Sequence, residues 1–147
     1  MHCGDLLEPL DAFGFLRIER QELIRLHEIE CKGTVLAVDL KAAKVLWRFK
    51  SSRDFPFFSS PAVDAERVVI GGENKLLHCL DRKTGKELWN FAARGKIDSS
   101  PAIVKDRVVV GSDDGHVYIV SRKDGKEIWK YEIGSHVDSS PAVSEGV

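Results

Sequence analysis

The sequence predicts an all-β chain of β-propeller blades, four-stranded antiparallel units repeating about every 40 residues around an incomplete ring. Three observations predict it. The tetrapeptide Ser-Ser-Pro-Ala stands at 59–62, 99–102 and 139–142, each copy 40 residues after the last. A tryptophan recurs in nearly the same rhythm, at Trp47, Trp89 and Trp129. Between these markers lie short runs of Val, Ile, Leu and aromatics bounded by Gly, Pro, Asp and Asn, the chemistry of strands and turns. The most faithful repeat belongs to the frame, so a specific activity must lie in what differs between copies.

Taken in order, residues 1–32 do not share this pattern and read as a leader with a degenerate strand. Leu23–Ile29 falls where the second strand of a first unit belongs, although Gln21–Leu26 reads equally as helical turns. Residues 33–50 keep only the outer half of a unit, Gly33–Leu40 and Lys44–Phe49. Residues 59–92 form a full blade: Ser59–Val63, Arg67–Gly71, Leu76–Asp81 and Lys86–Phe91. Residues 99–132 form another: Ser99–Ile103, Arg107–Gly111, Val117–Ser121 and Lys126–Tyr131. Residues 139–147 begin the next unit. Lys83–Lys86 and Lys123–Lys126 place Gly85 and Gly125 where a tight hairpin needs positive φ. Val68–Ile70 and Val108–Val110 do not alternate with polar residues, which marks strands covered on both faces.

Composition narrows the function. A net charge of −1 argues against bulk attraction to nucleic acid or an anionic membrane. No apolar run approaches the roughly 18 residues that span a bilayer. Asp5, Glu8 and Asp11 stand where an export signal would carry Lys or Arg, so none is visible in the chain as given. Cys3, Cys31 and Cys79 are odd in number and lack metal-site spacing. Cys79 aligns with Ala37 and Ile119 and reads as a small core residue; Cys3 and Cys31 stay open. None of the five histidines has zincin spacing, no Gly-rich phosphate loop occurs, and no catalytic residue or metal ligand is assigned. His78 aligns with Leu36 and Tyr118, on a strand surface.

Cys79-x-Asp81-x-x-Thr84-Gly85-x-x-x-Trp89 resembles the tryptophan-docking motif of quinoprotein-type propellers. Ala37-x-Asp39…Trp47 and Ile119-x-Ser121-x-x-Asp124-Gly125…Trp129 are diverged copies. From Gly33 to Val147 the chain therefore resembles PQQ-like repeat proteins, a family that includes BamB-type assembly lipoproteins. The resemblance implies that Trp47, Trp89 and Trp129 each pack across to the next blade. It also implies a non-enzymatic scaffold that binds another protein, in the periplasm or cell envelope. The alternative is a fragment of a PQQ-dependent oxidoreductase or of a ligand-sensing propeller. That reading would call for PQQ and calcium; the scaffold needs no cofactor. The vicinal cysteine pair typical of the dehydrogenases is absent.

The implied topology sorts charge onto two rims. One receives Glu73, Asn74, Asp98, Asp113, Asp114, His136 and Asp138, with Lys75, Arg94 and Lys96. The other is mainly basic, with Arg67, Arg82, Lys83, Lys86, Lys105, Arg107, Arg122, Lys123 and Lys126 among fewer acids. Phe58, Asp98 and Asp138 occupy one equivalent position just before Ser-Ser-Pro, near the channel mouth. Phe58, Asp98, Asp113, Asp114, His136 and Asp138 are thus the candidate binding rim, with solvated hairpin tips as the plainer reading. Phe55, Phe57 and Phe58 read as inter-blade packing, an exposed protein-binding patch being the alternative. Three blades fall short of a closed propeller, so further blades, a protein partner or a second copy completing a ring are the expected partners.

Overall fold

The computed structural model describes residues 15–18, 21–25, 33–52 and 55–144. Twelve strands fall into three four-stranded antiparallel sheets. The first blade joins β1 (Phe15–Ile18), β2 (Gln21–Arg25), β3 (Thr34–Asp39) and β4 (Lys44–Lys50). The second joins β5 (Ala62–Val63), β6 (Arg67–Gly71), β7 (Leu76–Asp81) and β8 (Glu87–Ala92). The third joins β9 (Ala102–Val104), β10 (Arg107–Gly111), β11 (His116–Ser121) and β12 (Glu127–Glu132). Each sheet runs in chain order from its innermost to its outermost strand.

The first unit holds one strand more, β1, than the outer pair and degenerate strand that its sequence pattern indicates. Gln21–Arg25 is extended and pairs Gln21 with Asp39 and Arg25 with Val35. Arg67 pairs with Asp81 in the same way in the second blade. For this segment the helical alternative does not match and residues 26–29 lie outside the described residues, while the strand reading agrees with β2, although its start at Leu23 falls late. The reason is loop length: eight residues separate β2 from β3, whereas four separate β6 from β7 and β10 from β11. Counting back from Gly33 with the shorter loop puts the strand too late. At the other end, 139–144 is not extended into a strand, and 145–147 lie outside the described residues. An innermost strand needs a second strand of its own blade to pair with, as β5 pairs β6.

The Ser-Ser-Pro-Ala repeat has a physical explanation. Its first serine closes the blade on itself: Ser59 Oγ donates to Gly71 O at 2.8 Å and accepts from Gly71 N at 2.9 Å. Ser99 Oγ likewise accepts from Gly111 N at 3.2 Å. Its second serine joins neighbours, since Ser60 N donates to Ser100 Oγ at 2.8 Å and Ser100 N to Ser140 Oγ at 3.3 Å. One hydroxyl serves within the blade and one between blades. The first serves buried backbone groups that would be costly to leave unpaired, and the second serves exposed ones.

Apolar packing lies between sheets. Val35, Ala37 and Trp47 of the first blade meet Phe57, Val68, Ile70 and Leu80 of the second. Val69, Leu77, Cys79 and Trp89 of the second meet Ile97, Val108, Val110, Tyr118 and Val120 around the third. These strands are covered on both faces, which is why their sequences do not alternate. Cys79 is fully buried, and burial pushes its thiol up to about 11, so it packs as an inert apolar group. His78 sits at the first of these interfaces, its ring centroid 5.2 Å from that of Phe49 and 5.7 Å from that of Phe57. Its Nδ1 lies 2.5 Å from Glu87 Oε2, and Nε2 lies 3.0 Å from Asn74 Nδ2. An amide that can only donate at Nε2 fixes the proton on Nδ1, so the imidazole is neutral. Burial lowers the His78 pKa, and Glu87 opposes the shift only partly.

This packing has two measurable consequences. Trp89→Ala should cost about 3–5 kcal/mol in urea unfolding, whereas Trp129→Ala, already half exposed, should cost less than about 1 kcal/mol. The depressed folded-state pKa of His78 means its contribution is complete above the unfolded value and is lost as pH falls. Stability should therefore decline below about pH 6.5, and His78→Leu should flatten that part of the pH profile.

Candidate functional site

The tryptophans meet a feature that hairpin chemistry dictates. Asp81 Oδ1 accepts from the backbone N–H of Lys83 and Thr84 at 2.9 and 2.8 Å and from the Thr84 hydroxyl at 3.0 Å. That folded turn delivers Gly85 at φ 72° and sets the Arg82 carbonyl toward Trp47. Trp47 Nε1 donates to Arg82 O at 2.8 Å, and Trp89 Nε1 donates to Arg122 O at 2.9 Å. A Cβ at Gly85 would lie 2.9 Å from Trp47 Cγ and closer still to Cε3 and Cδ2. At Gly125 a Cβ would lie 2.7 Å from Trp89 Cδ2. Glycine is needed at both positions twice over, for its φ and for the indole above it. Trp47 and Trp89 are 7% and 9% exposed; Trp129 is 48% exposed and stacks on Tyr131 of its own strand.

The candidate rim divides. Backbone bonds set its loops in place: Ile97 N donates to Gly72 O, Asp113 N to Lys96 O and Val137 N to Ser112 O, at 2.9–3.3 Å. This brings Glu73, Lys96, Asp98, Asp113, His136 and Asp138 onto one face. Lys96 Nζ pairs with Glu73 Oε1 at 2.7 Å, and His136 Nδ1 stands 3.9 Å from Asp113 Oδ1. Asp98 Oδ1 and Asp113 Oδ1 are buried without a hydrogen-bond partner. Burial pushes the Asp98 carboxyl above the usual range, Glu73 and Asp138 adding to the rise against Lys96. Burial likewise raises Asp113, with Asp138 and Asp98 adding to it and His136 opposing.

Asp114 plays a different part. It accepts from Tyr118 Oη at 2.7 Å, from Arg94 N at 2.9 Å and from His116 N at 3.0 Å. Those bonds hold its pKa below the usual range despite burial, so it is a structural anchor beneath the rim. The phenylalanine cluster also splits. Phe57 is 1% exposed and packs between blades, while Phe55 and Phe58 are 40% and 46% exposed. Glu73, Asn74 and Lys96 reach this face by loop class, whereas the pairing of His78 with Glu87 belongs to no short motif and follows from their places on β7 and β8. The basic rim is partly occupied internally. Arg122 Nε reaches Asp64 Oδ2 at 2.6 Å, Nη2 reaches Glu66 Oε2 at 3.1 Å, and Arg67 Nη1 donates to Arg122 O. Among the described residues no group of three or more His, Cys, Asp or Glu side chains is arranged to hold a metal ion.

Comparison with known proteins agrees with this geometry. A family model described as outer membrane protein assembly factor BamB matches residues 31–147. The chain belongs to that PQQ-like propeller family. No curated protein matches it by sequence. BamB from Moraxella catarrhalis superposes with a TM-score of 0.71 at 17% identity, over 85% of this chain and 41% of that one. A europium-containing methanol dehydrogenase superposes at 0.70 with 20% identity, over 81% of this chain and 24% of that one. The computationally designed Ika4 protein gives 0.72 at 17% identity, over 85% and 75%. The chain thus spans less than half the length of BamB, and likeness at these identities shows the fold alone.

The crowding of carboxylates has a sign that can be checked. A carboxyl raised by folding opposes the folded state increasingly as pH rises through the carboxylate range, and fully at neutral pH. Asp98→Asn or Asp113→Asn should raise the melting temperature at pH 7, with the gain vanishing by about pH 3.

Proposed function

We propose that this chain is a propeller module that holds another protein and carries out no chemistry of its own. One observation carries the reading: the outward face of the third blade is apolar and uncovered. Trp129 and Tyr131 on the outer strand, and Ile133 just after it, are 48%, 59% and 54% exposed, where the other two blades bury their tryptophan. An aromatic patch edged by charged groups such as Glu127, Lys130 and Glu132 has the make-up of a protein-binding surface. Membership of a family described by an outer membrane assembly factor supports the same reading, with the cell envelope as the setting it suggests.

A second reading has its own observation. Asp98, Asp113 and Asp138 crowd one another and leave carboxylate oxygens unpartnered, and a quinoprotein dehydrogenase shares the fold. PQQ and calcium would be the ligands of an oxidoreductase fragment. The donor set does not fit calcium, because no group of three among the described acids is arranged to hold a metal ion and burial with like charge raises two of these carboxyls above the usual range. Calorimetric titration with PQQ and calcium separates the readings. The scaffold predicts no saturable heat at ligand concentrations up to about 1 mM, a weak-binding threshold. Saturable binding lost in Asp98→Ala and Asp138→Ala would replace the scaffold with the oxidoreductase or sensor.

A further inference from the structure

The end of the arc opposite the acidic rim repeats one hairpin pattern in all three blades. Lys41, Lys83 and Lys123 stand two residues past the Asp or Ser that opens each outer hairpin, and Lys44, Lys86 and Lys126 three residues further on. Leu46, Leu88 and Ile128 follow two residues later, each directly before its tryptophan. Strand pairing steps over these three aliphatic residues. Cys79 pairs with Trp89 and Leu80 with Glu87, which leaves Leu88 without a partner across β7, and Leu46 and Ile128 are skipped in the same way. A bulge turns its extra residue out of the ladder, and these three are 37%, 46% and 48% exposed. One exposed leucine is ordinary. The same aliphatic group turned outward behind two exposed lysines in every blade is a repeated surface pattern.

Charge sets the sign of what this surface takes. Residues 39–44, 64–67, 81–86, 105–107 and 121–126, the hairpins at this end, carry eleven Lys and Arg against six Asp and Glu. The whole chain has a net charge of −1, so the excess is local. Four of the acids already have partners. Asp64 and Glu66 pair with Arg122, and Oδ1 of Asp39 and of Asp81 accepts backbone N–H groups of its own turn. Among the described residues, Lys41, Lys44, Lys83, Lys86, Lys105 and Lys123 make no ion pair. Beside Lys83 lies a notch of about 400 Å³ lined by Ala65, Glu66, Arg67, Asp81, Lys83 and Leu88. Glu66 is held by Arg122, Asp81 by its turn, and Arg67 donates to the Arg122 carbonyl. The notch therefore leaves the Lys83 ammonium and the Leu88 side chain for a ligand. These hairpins stand at strand ends rather than on a blade face. Lys83, Lys86 and Leu88 stay exposed with the third blade packed on the second, so the surface does not depend on what adjoins the arc.

We propose that this basic rim binds an acidic segment of a partner protein, with an aliphatic side chain of that segment seated against Leu88. The lysines meet its carboxylates, and the bulge residues give its apolar side chains a counterpart. A lipid surface fits less well. A bilayer takes up the apolar groups that protrude furthest, whereas here the furthest groups are the charged tips at 82–84 and 122–124, with the aliphatic residues behind them on the strands. A phosphate backbone would meet the lysines and leave Leu88 without a partner. This rests on the scaffold reading and names the chemistry of the protein it holds.

Fluorescence anisotropy on the full chain tests it, with a fluorescein-labelled peptide of repeated Asp-Leu-Glu as the probe. Binding should saturate, and should weaken at least about tenfold between about 0.1 and about 1 M salt, where the screening length falls from about 10 to about 3 Å. Lys83→Glu with Lys86→Glu should weaken it at least about tenfold and leave the melting temperature close to that of the wild type. Lys75→Glu with Arg94→Glu changes the net charge equally on the opposite rim and should alter binding less than about twofold. Leu88→Ser should weaken the Asp-Leu-Glu peptide about threefold or more and leave a repeated Asp-Ser-Glu peptide unaffected. No saturable binding, equal loss from both charge pairs, or equal affinity for the two peptides overturns the proposal. Tighter binding to phosphatidylglycerol vesicles, lost in Lys83→Glu with Lys86→Glu, overturns it too and makes a membrane the occupant. Heat from PQQ and calcium sinks the scaffold reading whatever the peptide does. A peptide that fails without that heat leaves the scaffold standing, so the two failures are distinguishable.

Discussion

Everything in this fold turns on an indole lying over a glycine of the next blade. Sheets of this size expose too much apolar surface to stand alone, and stacking is what covers it. The stacking is specified by a single contact type. An Asx-folded hairpin presents a glycine with no Cβ and a carbonyl set toward the indole, and the preceding blade supplies a ring and an N–H that match both. The remaining devices depend on that spacing being set. The serine bridges at the inner strands and the Arg122–Asp64–Glu66 pairing at the outer edge can form only when the sheets already lie at the indole's distance. An irregularity in the outer strand pairing recurs next to Trp47, Trp89 and Trp129, where a bulge re-aims the strand bearing the ring.

The architecture is legible in the chain because the indole–glycine contact is written locally and repeated. Period, tryptophans, turn glycines and unalternating Val runs all point to the same blades. The first blade is only half readable. Its hairpin has Ala43 in place of glycine, and its longer loop between β2 and β3 breaks the count that locates the second strand. The candidate site divides along a similar line. Position within the repeat is enough to gather Asp98, Asp113, His136 and Asp138 on one face, since loops of one class must share a rim. Position cannot show that Asp114 turns inward to Tyr118, because that depends on a hydroxyl four residues along a strand. Nor can it separate Phe57 from Phe58, adjacent residues whose fates differ by which side of the entry loop they leave.

Exposure of Trp129 is the case where recurrence misleads. The residue, its strand and its neighbours repeat the other two copies, yet its environment depends on whether another blade lies beside it. A repeat protein distributes identical chemistry along a line, and only the ends of the line convert it from frame to surface.

The acidic rim and the apolar face are therefore different kinds of site. The rim opposes folding: Asp98 and Asp113 are held where their charge is disfavoured, on loops pinned by Gly72, Lys96 and Ser112 backbone bonds. A frame stabilised by the indole contacts can sustain that cost without the rim rearranging. The apolar face has the opposite character, being the frame's own contact left open. Glycine permits and alanine forbids the close approach of an indole to a left-handed turn, and Ala43 shows that the same chain contains both versions of that choice.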